Sequence, residues 1–134
     1  TSKWSALVPD AEARLRKTAS LSNLARKPLV MLARERAALA HDGVLAALQA
    51  TGTIPQVVQY ADSWAGVIAM VSLGLGSALV PSMVAKRLAI TGATLLPLVE
   101  AEALPAWTIS CLWLPQPTGT AAADAISLMK ARLG

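Results

Sequence analysis

The chain reads as blocks of apolar residues separated by short polar breaks. Leu29-Val30-Met31-Leu32 is a continuous apolar run, the pattern of a strand buried on both faces. Asp42 is a capping residue, and a helix is expected from Gly43 to Ala50 with Val44, Leu45 and Leu48 on one face and Gly52 as its stop. Pro55 breaks the chain, and Val57-Val58-Gln59-Tyr60 reads as a second strand. Asp62 or Ser63 caps a helix from Trp64 to Leu73, closed by Gly74. Ser77 to Val80 is a strand ended by Pro81. Ser82 caps a helix through about Leu88, stopped by Gly92, and Leu95 to Val99 is a further strand.

The flanks are less regular. Trp4 to Val8 reads as a short strand ended by Pro9-Asp10, and Ala11 to Ser20 as a polar, basic surface loop. Ser22 to Ala25 suits one helical turn. Glu100 to Pro105 reads as a loop and Trp107 to Leu114 as a β-prone strand. Thr120 to Leu133 is an amphipathic helix with Ile126, Met129 and Leu133 as its stripe. Strands alternating with helices imply βαβ units. The fold class expected is α/β, a doubly wound, mostly parallel sheet with helices on both faces.

Composition narrows this picture. Of 134 residues 54% are hydrophobic and 15% charged, which excludes intrinsic disorder. Cys111 is the one cysteine and His41 the one histidine, so an intrachain disulfide and a multi-cysteine zinc site are excluded. Neither a metal nor a cofactor is expected. The net charge of +4 raises nucleic acid as a partner. Eight of the twelve basic residues, however, fall in the first 36 positions, without the interleaved aromatics of a nucleic-acid stripe. Mean hydropathy is +0.51, and Ala65 to Ala85 carries no charge. Gly66, Gly74, Gly76 and Pro81 punctuate that run, so it reads as helix, turn and strand and not as a membrane span. The N-terminus lacks a charged start followed by an apolar core, so no signal peptide is expected.

Several segments together resemble a known family. They are Leu24-Ala25, Lys27-Pro28-Leu29-Val30, the helix up to Gly52, Pro55-Gln56-Val57-Val58, Leu96-Pro97-Leu98 and, most specifically, Val71-Ser72-Leu73-Gly74-Leu75-Gly76-Ser77-Ala78-Leu79-Val80-Pro81. The stretch from about Leu24 to Leu133 resembles the C-terminal part of the effector-binding region of LysR-type transcriptional regulators. The resemblance implies a periplasmic-binding-protein-like (type 2) lobe. The whole of residues 1–134 would be one fragment: the second lobe over about 10–107, crossover strands at about 4–8 and 107–114, and a helix at about 120–133 belonging to an absent first lobe. It implies a bacterial, cytoplasmic, homodimeric regulator that binds a small molecule between two lobes; that this effector is an organic anion is expected from the residues below. DNA would be contacted only through an absent N-terminal helix-turn-helix.

Candidate chemistry lies at the carboxyl ends of the strands, where such sheets bind ligands. Helix starts near His41-Asp42 and at Asp62-Ser63-Trp64 are expected to meet there and to favour an anion. Arg34 and Arg36, on either side of Glu35, leave the first strand at the same edge. An Arg holds a carboxylate by two parallel hydrogen bonds; the alternative is a solvated loop. Trp64 offers a flat apolar face, or is a packing tryptophan. The resemblance places ligand-lining positions near Ser63, Trp64 and Ala106. The candidate ligand set is therefore Arg34, Glu35, Arg36, Ser63, Trp64 and Ala106, with no catalytic residue and no enzyme activity expected. Two other readings stand beside this one. A small α/β hydrolase would use Ser63 and His41, but the sequence around Ser63 lacks the glycines of a nucleophile elbow, so His41 reads as a surface residue at a helix start. A lobe of a solute-binding transport protein would share the fold. Gly74-x-Gly76 sits at a helix end and lacks a third glycine, so it reads as a turn and not as a dinucleotide fingerprint. Cys111 reads as a buried, inert thiol.

Overall fold

The computed structural model describes residues 3–105. The strand expected at Trp107 to Leu114, the helix at Thr120 to Leu133, Ala106 and Cys111 lie outside them. The elements run β1 (Trp4–Pro9), α1 (Asp10–Ala13), α2 (Leu21–Ala25), β2 (Pro28–Leu32), a 3-10 turn (Arg34–Arg36), α3 (Ala38–Gln49), β3 (Gln56–Ala61), α4 (Trp64–Ser72), β4 (Ala78–Pro81), α5 (Ser82–Ala85), β5 (Ala93–Pro97) and a second 3-10 turn (Ala101–Ala103).

β2 pairs with β3 in parallel, and β1 lies between β4 and β5, antiparallel to both. The two groups join through a parallel bridge, Leu29 opposite Ser77. There the Val30 N–H donates to the Ser77 carbonyl at 2.8 Å and the Ser77 N–H to the Pro28 carbonyl at 2.9 Å. Read across the bridge, the order is β3-β2-β4-β1-β5. β2 to β5 share one direction and β1 alone runs against them. A strand that enters the sheet from outside the βα succession is free of the crossover rule that keeps the others parallel.

Side chains of a strand alternate between faces, and here each parity has its own core. Trp4, Ala6 and Val8 of β1, Leu29 and Met31 of β2, Leu79 of β4 and Leu96 of β5 pack with Leu21, Leu24, Val44 and Leu48 of α2 and α3. Leu7, Val30, Ala78, Val80 and Ala93 face the other way, against Val67, Ile68 and Val71 of α4 and Ala85 of α5. The doubly wound α/β layer arrangement is thus present, helices on both faces.

Several boundaries differ from the sequence reading. The segment expected as a loop from Ala11 begins as α1, whose first turn carries Asp10 and Glu12; Glu12 holds Lys27 at 2.8 Å. α5 ends at Ala85, short of Leu88, and the Ser82 hydroxyl does not cap it but meets the Ser5 hydroxyl at 2.6 Å. The turn reading of Gly74-Leu75-Gly76 holds. Gly74 adopts φ +83°, a left-handed conformation that glycine takes without a Cβ clash.

Gly76 serves a different need. A Cβ there would lie 2.8 Å from the Pro28 carbonyl oxygen, so only glycine lets the chain approach β2 and form the bridge. Gly76→Ala is expected to cost about 1–3 kcal/mol through this overpacking. Urea unfolding measures it, and an unchanged midpoint would rule the close approach out.

Candidate functional site

β2 and β3 end side by side at Leu32 and Ala61, and the chain leaves both at one edge of the sheet. α3 and α4 start there and pack on opposite faces. Between the end of β2, the start of α3 and the start of α4 lies a narrow cavity of about 30 Å³. Its walls are Trp4, Leu29, Met31, Leu32, Ala37, Ala40, Val44, Leu48, Trp64 and Leu79, all apolar or aromatic, and His41. Trp64 reaches it from the first residue of α4, packs against both cores and stands edge-on to Trp4, ring centroids 6.1 Å apart. The Trp4 indole N–H donates to the Pro105 carbonyl at 2.6 Å.

α4 starts as the sequence predicts. Ser63 is its N-cap, extended in backbone, and its hydroxyl oxygen accepts from the Gly66 N–H at 3.0 Å. α3 does not. It begins at Ala38, five residues before Gly43, with Ala37 as its N-cap and no side-chain cap. Asp42 therefore lies inside the helix and caps nothing, and the expected helix start at His41-Asp42 is corrected to Ala38. Alanine is the best helix former, and the Ala37-Ala38-Leu39-Ala40 stretch propagates a helix that no capping residue announces.

The shift changes what Asp42 does. Its carboxylate takes Arg34 by two hydrogen bonds, Nε to Oδ1 at 3.0 Å and Nη2 to Oδ2 at 2.8 Å. The His41 Nδ1 lies 3.0 Å from the same Oδ1. Hydrogen bonds from Arg34 first and His41 second hold the Asp42 carboxyl far below the usual carboxylate range, and the pairing pushes the Arg34 guanidinium up. Asp42 thus stays ionised from neutral pH through the range where ordinary carboxylates take up protons. Both partners are exposed at the surface, so the pair adds little stability; its effect is to fix positions.

The structure brings together some of the expected ligand residues. Arg34, Glu35 and Arg36 form the exposed 3-10 turn after β2. Arg34 is not a mobile charge reaching into the crevice, because Asp42 holds the Nε–Nη2 edge of its guanidinium. Trp64 lines the cavity, Ser63 caps the helix beside it, and Ala106 lies outside the described residues. The sequence reading set His41 aside as a surface residue, and here it is corrected. Its side chain is 10% exposed, it lines the cavity, and its ring lies 5.9 Å from that of Tyr60. The signal available was its spacing, three residues before Val44 and seven before Leu48, which puts it on the same buried helical face. As for the hydrolase alternative, His41 has the acidic partner it needs, but among the described residues no hydrogen bond joins Ser63 to it.

Among the described residues no helix is long and apolar enough to cross a membrane.

Comparison with known proteins places these features in a family. The model of the LysR substrate binding domain matches residues 1–133. No curated protein matches the chain. Among solved structures it is similar to HinK, a LysR family transcriptional regulator from Pseudomonas aeruginosa, with a TM-score of 0.60 and 18% identity over 75% of this chain and 34% of that one. It is similar to full-length CbnR in complex with its target DNA, with a TM-score of 0.64 and 19% identity over 73% of this chain and 34% of that one. It is also similar to the BenM effector binding domain with its effector benzoate, with a TM-score of 0.62 and 14% identity over 77% of this chain and 47% of that one. The chain spans about a third of the full-length regulators and about half of the effector domain. At these identities the structural likeness speaks for the fold, a periplasmic-binding-protein-like type 2 α/β fold.

Proposed function

Because this chain belongs to the LysR substrate-binding domain family, we propose that it is the effector-sensing lobe of a LysR-type bacterial transcription factor. It binds a small carboxylate-bearing metabolite in a cleft between this lobe and a second one. Residues of about 10–107 form the lobe, and the strands at about 4–8 and 107–114 are its connections to the rest of the sensor. The regulator is cytoplasmic and homodimeric, and contacts DNA through a helix-turn-helix outside these residues.

The observation that supports this reading is the apolar, Trp64-walled cavity at the carboxyl ends of β2 and β3, where open α/β sheets take their ligands. Trp64 lines it, Arg34, Glu35 and Arg36 form the turn that follows β2, and Ser63 caps α4 next to Trp64; with Ala106 these make up the proposed ligand set. Trp64 supplies a flat surface for a planar acid. Effector binding modulates DNA binding by the helix-turn-helix.

With one lobe supplying half of the contacts, the isolated chain is expected to bind such acids at about millimolar level, near −4 kcal/mol. In the full-length regulator, organic acids are titrated while fluorescence anisotropy follows its operator DNA. Trp64→Ala and Arg34→Ala are expected to weaken the acid that acts by about tenfold each, in line with loss of an aromatic contact at Trp64 and of the ion pair that positions Asp42 at Arg34. Melting curves should show Arg34→Ala unchanged, since its side chain is exposed. Trp64→Ala should melt somewhat lower, since Trp64 packs on both cores. Wild-type affinity in both variants would reduce these residues to packing and surface.

A further inference from the structure

The cavity has a polar group that the reading above does not use. The His41 Nε2 is buried and has no hydrogen-bond partner, while the side chain is nine-tenths buried and lines the cavity. A buried unpaired polar atom is costly and calls for an explanation. The other ring nitrogen is engaged: Nδ1 faces Asp42 at 3.0 Å, and Asp42 is in turn held by Arg34. The carboxylate accepts only, so Nδ1 carries the proton and the ring orientation is set. The cavity that the His41 ring lines is otherwise walled by hydrocarbon and aromatic ring. Beside it, Ala37 and Ala40 bring the first turn of α3 to the cavity, a twelve-residue helix with no side-chain cap at its positive end.

We infer that His41 is the residue that holds the ligand's carboxylate, donating from Nε2, and that Arg34 acts behind it by fixing Asp42. This rests on the effector-site reading and names the polar anchor within it. The charged and titratable groups about His41 are Asp42 on its own helix, Arg34 reaching Asp42 from the 3-10 turn, and Tyr60 from β3. Among the described residues, β1, β2, β4 and α4 present only Trp4, Leu29, Met31, Leu32, Leu79 and Trp64 to the cavity. An entering carboxylate adds a second negative group at Nε2. The ring then takes one proton from solvent onto Nε2, Nδ1–H stays on Asp42, and the complex is carboxylate–imidazolium–carboxylate. The ligand class is a small acid with one carboxylate and a flat apolar body, because one nitrogen in an apolar cavity satisfies one polar group and leaves any other unpaired.

His41 is the single histidine of the chain, so its imidazole ¹⁵N signals need no assignment. The full chain, labelled at histidine, is titrated at a pH above the ordinary histidine range with benzoate and with crotonate, and separately with benzamide, which is uncharged. Calorimetry runs in two buffers of different ionisation enthalpy. Saturable movement of the Nε2 signal to its protonated position with the acids, proton uptake in calorimetry and no movement with benzamide are the expected results. His41→Gln should weaken the acids by about tenfold or more, the scale of a hydrogen bond to a charged group, and leave benzamide unchanged. Acids that bind with the His41 signals unmoved and His41→Gln at wild-type affinity would overturn the assignment and leave the effector reading standing. If neither acid binds, the assignment is overturned too, and the DNA anisotropy experiment above decides the effector reading separately.

Discussion

Trp4→Ala is expected to lower folding stability by about 3–5 kcal/mol, the range for a large aromatic removed from a core. Trp4 is 4% exposed, although it opens the first strand. Its ring fills the space between β2 and the start of α4, edge-on to Trp64, and its N–H holds the Pro105 carbonyl. The truncation therefore leaves a cavity and removes a donor at once. A domain of this size has about 5–15 kcal/mol in total, so the variant should be partly unfolded at room temperature. Trp4→Phe separates the two losses: it keeps a ring, gives up the N–H, and should cost about 1–2 kcal/mol. Urea unfolding followed by far-UV circular dichroism gives both numbers. Trp4→Ala within about 1 kcal/mol of the parent would show that β1 does not depend on this contact.

Leu48→Ala carries the second largest effect, about 2–5 kcal/mol. Leu48 is 1% exposed on α3 and forms the floor of the same cavity. The substitution joins the volume of the lost side chain to a space that already exists. Relaxation is thus poorer than at an ordinary core position, and the upper half of the range is expected. The enlarged cavity should also bind a small apolar probe such as benzene more tightly, raising the melting temperature of Leu48→Ala further than that of the parent. A variant that melts like the parent, or ignores the probe, would mean that α3 collapses onto β2 and that the cavity is not rigid.

How far the site was legible depended on whether a local signal existed. Ser63 was read as a cap because serine followed by an apolar helical stretch is a local signature, and its hydroxyl does cap α4. Asp42 carries the same local signature but lies inside α3. Nothing in Ala37-Ala38-Leu39-Ala40 marks a helix start, so the sequence offers Asp42 as the first capping residue. With Asp42 outside the helix, the sequence gives Arg34 no partner and puts His41 at the surface. In the fold, Arg34 and Asp42 come together because a 3-10 turn reverses the chain between β2 and α3.

The sequence by itself determined the layers. Apolar runs of strand length, capped amphipathic segments and glycines at the stops specify a doubly wound α/β lobe, since each depends on neighbours within a few residues. It also carried enough of the Val71 to Pro81 segment to point to the family. Tertiary structure alone decided the direction of β1, because strand polarity depends on which edges are free when Trp4–Pro9 enters between β4 and β5. It alone decided that the Gly76 backbone lies against Pro28. It also decided that one imidazole is buried in an apolar cavity with Nε2 unpaired. These facts concern atoms far apart along the chain or set by a helix start that no residue announces, and only the folded packing brings them into contact.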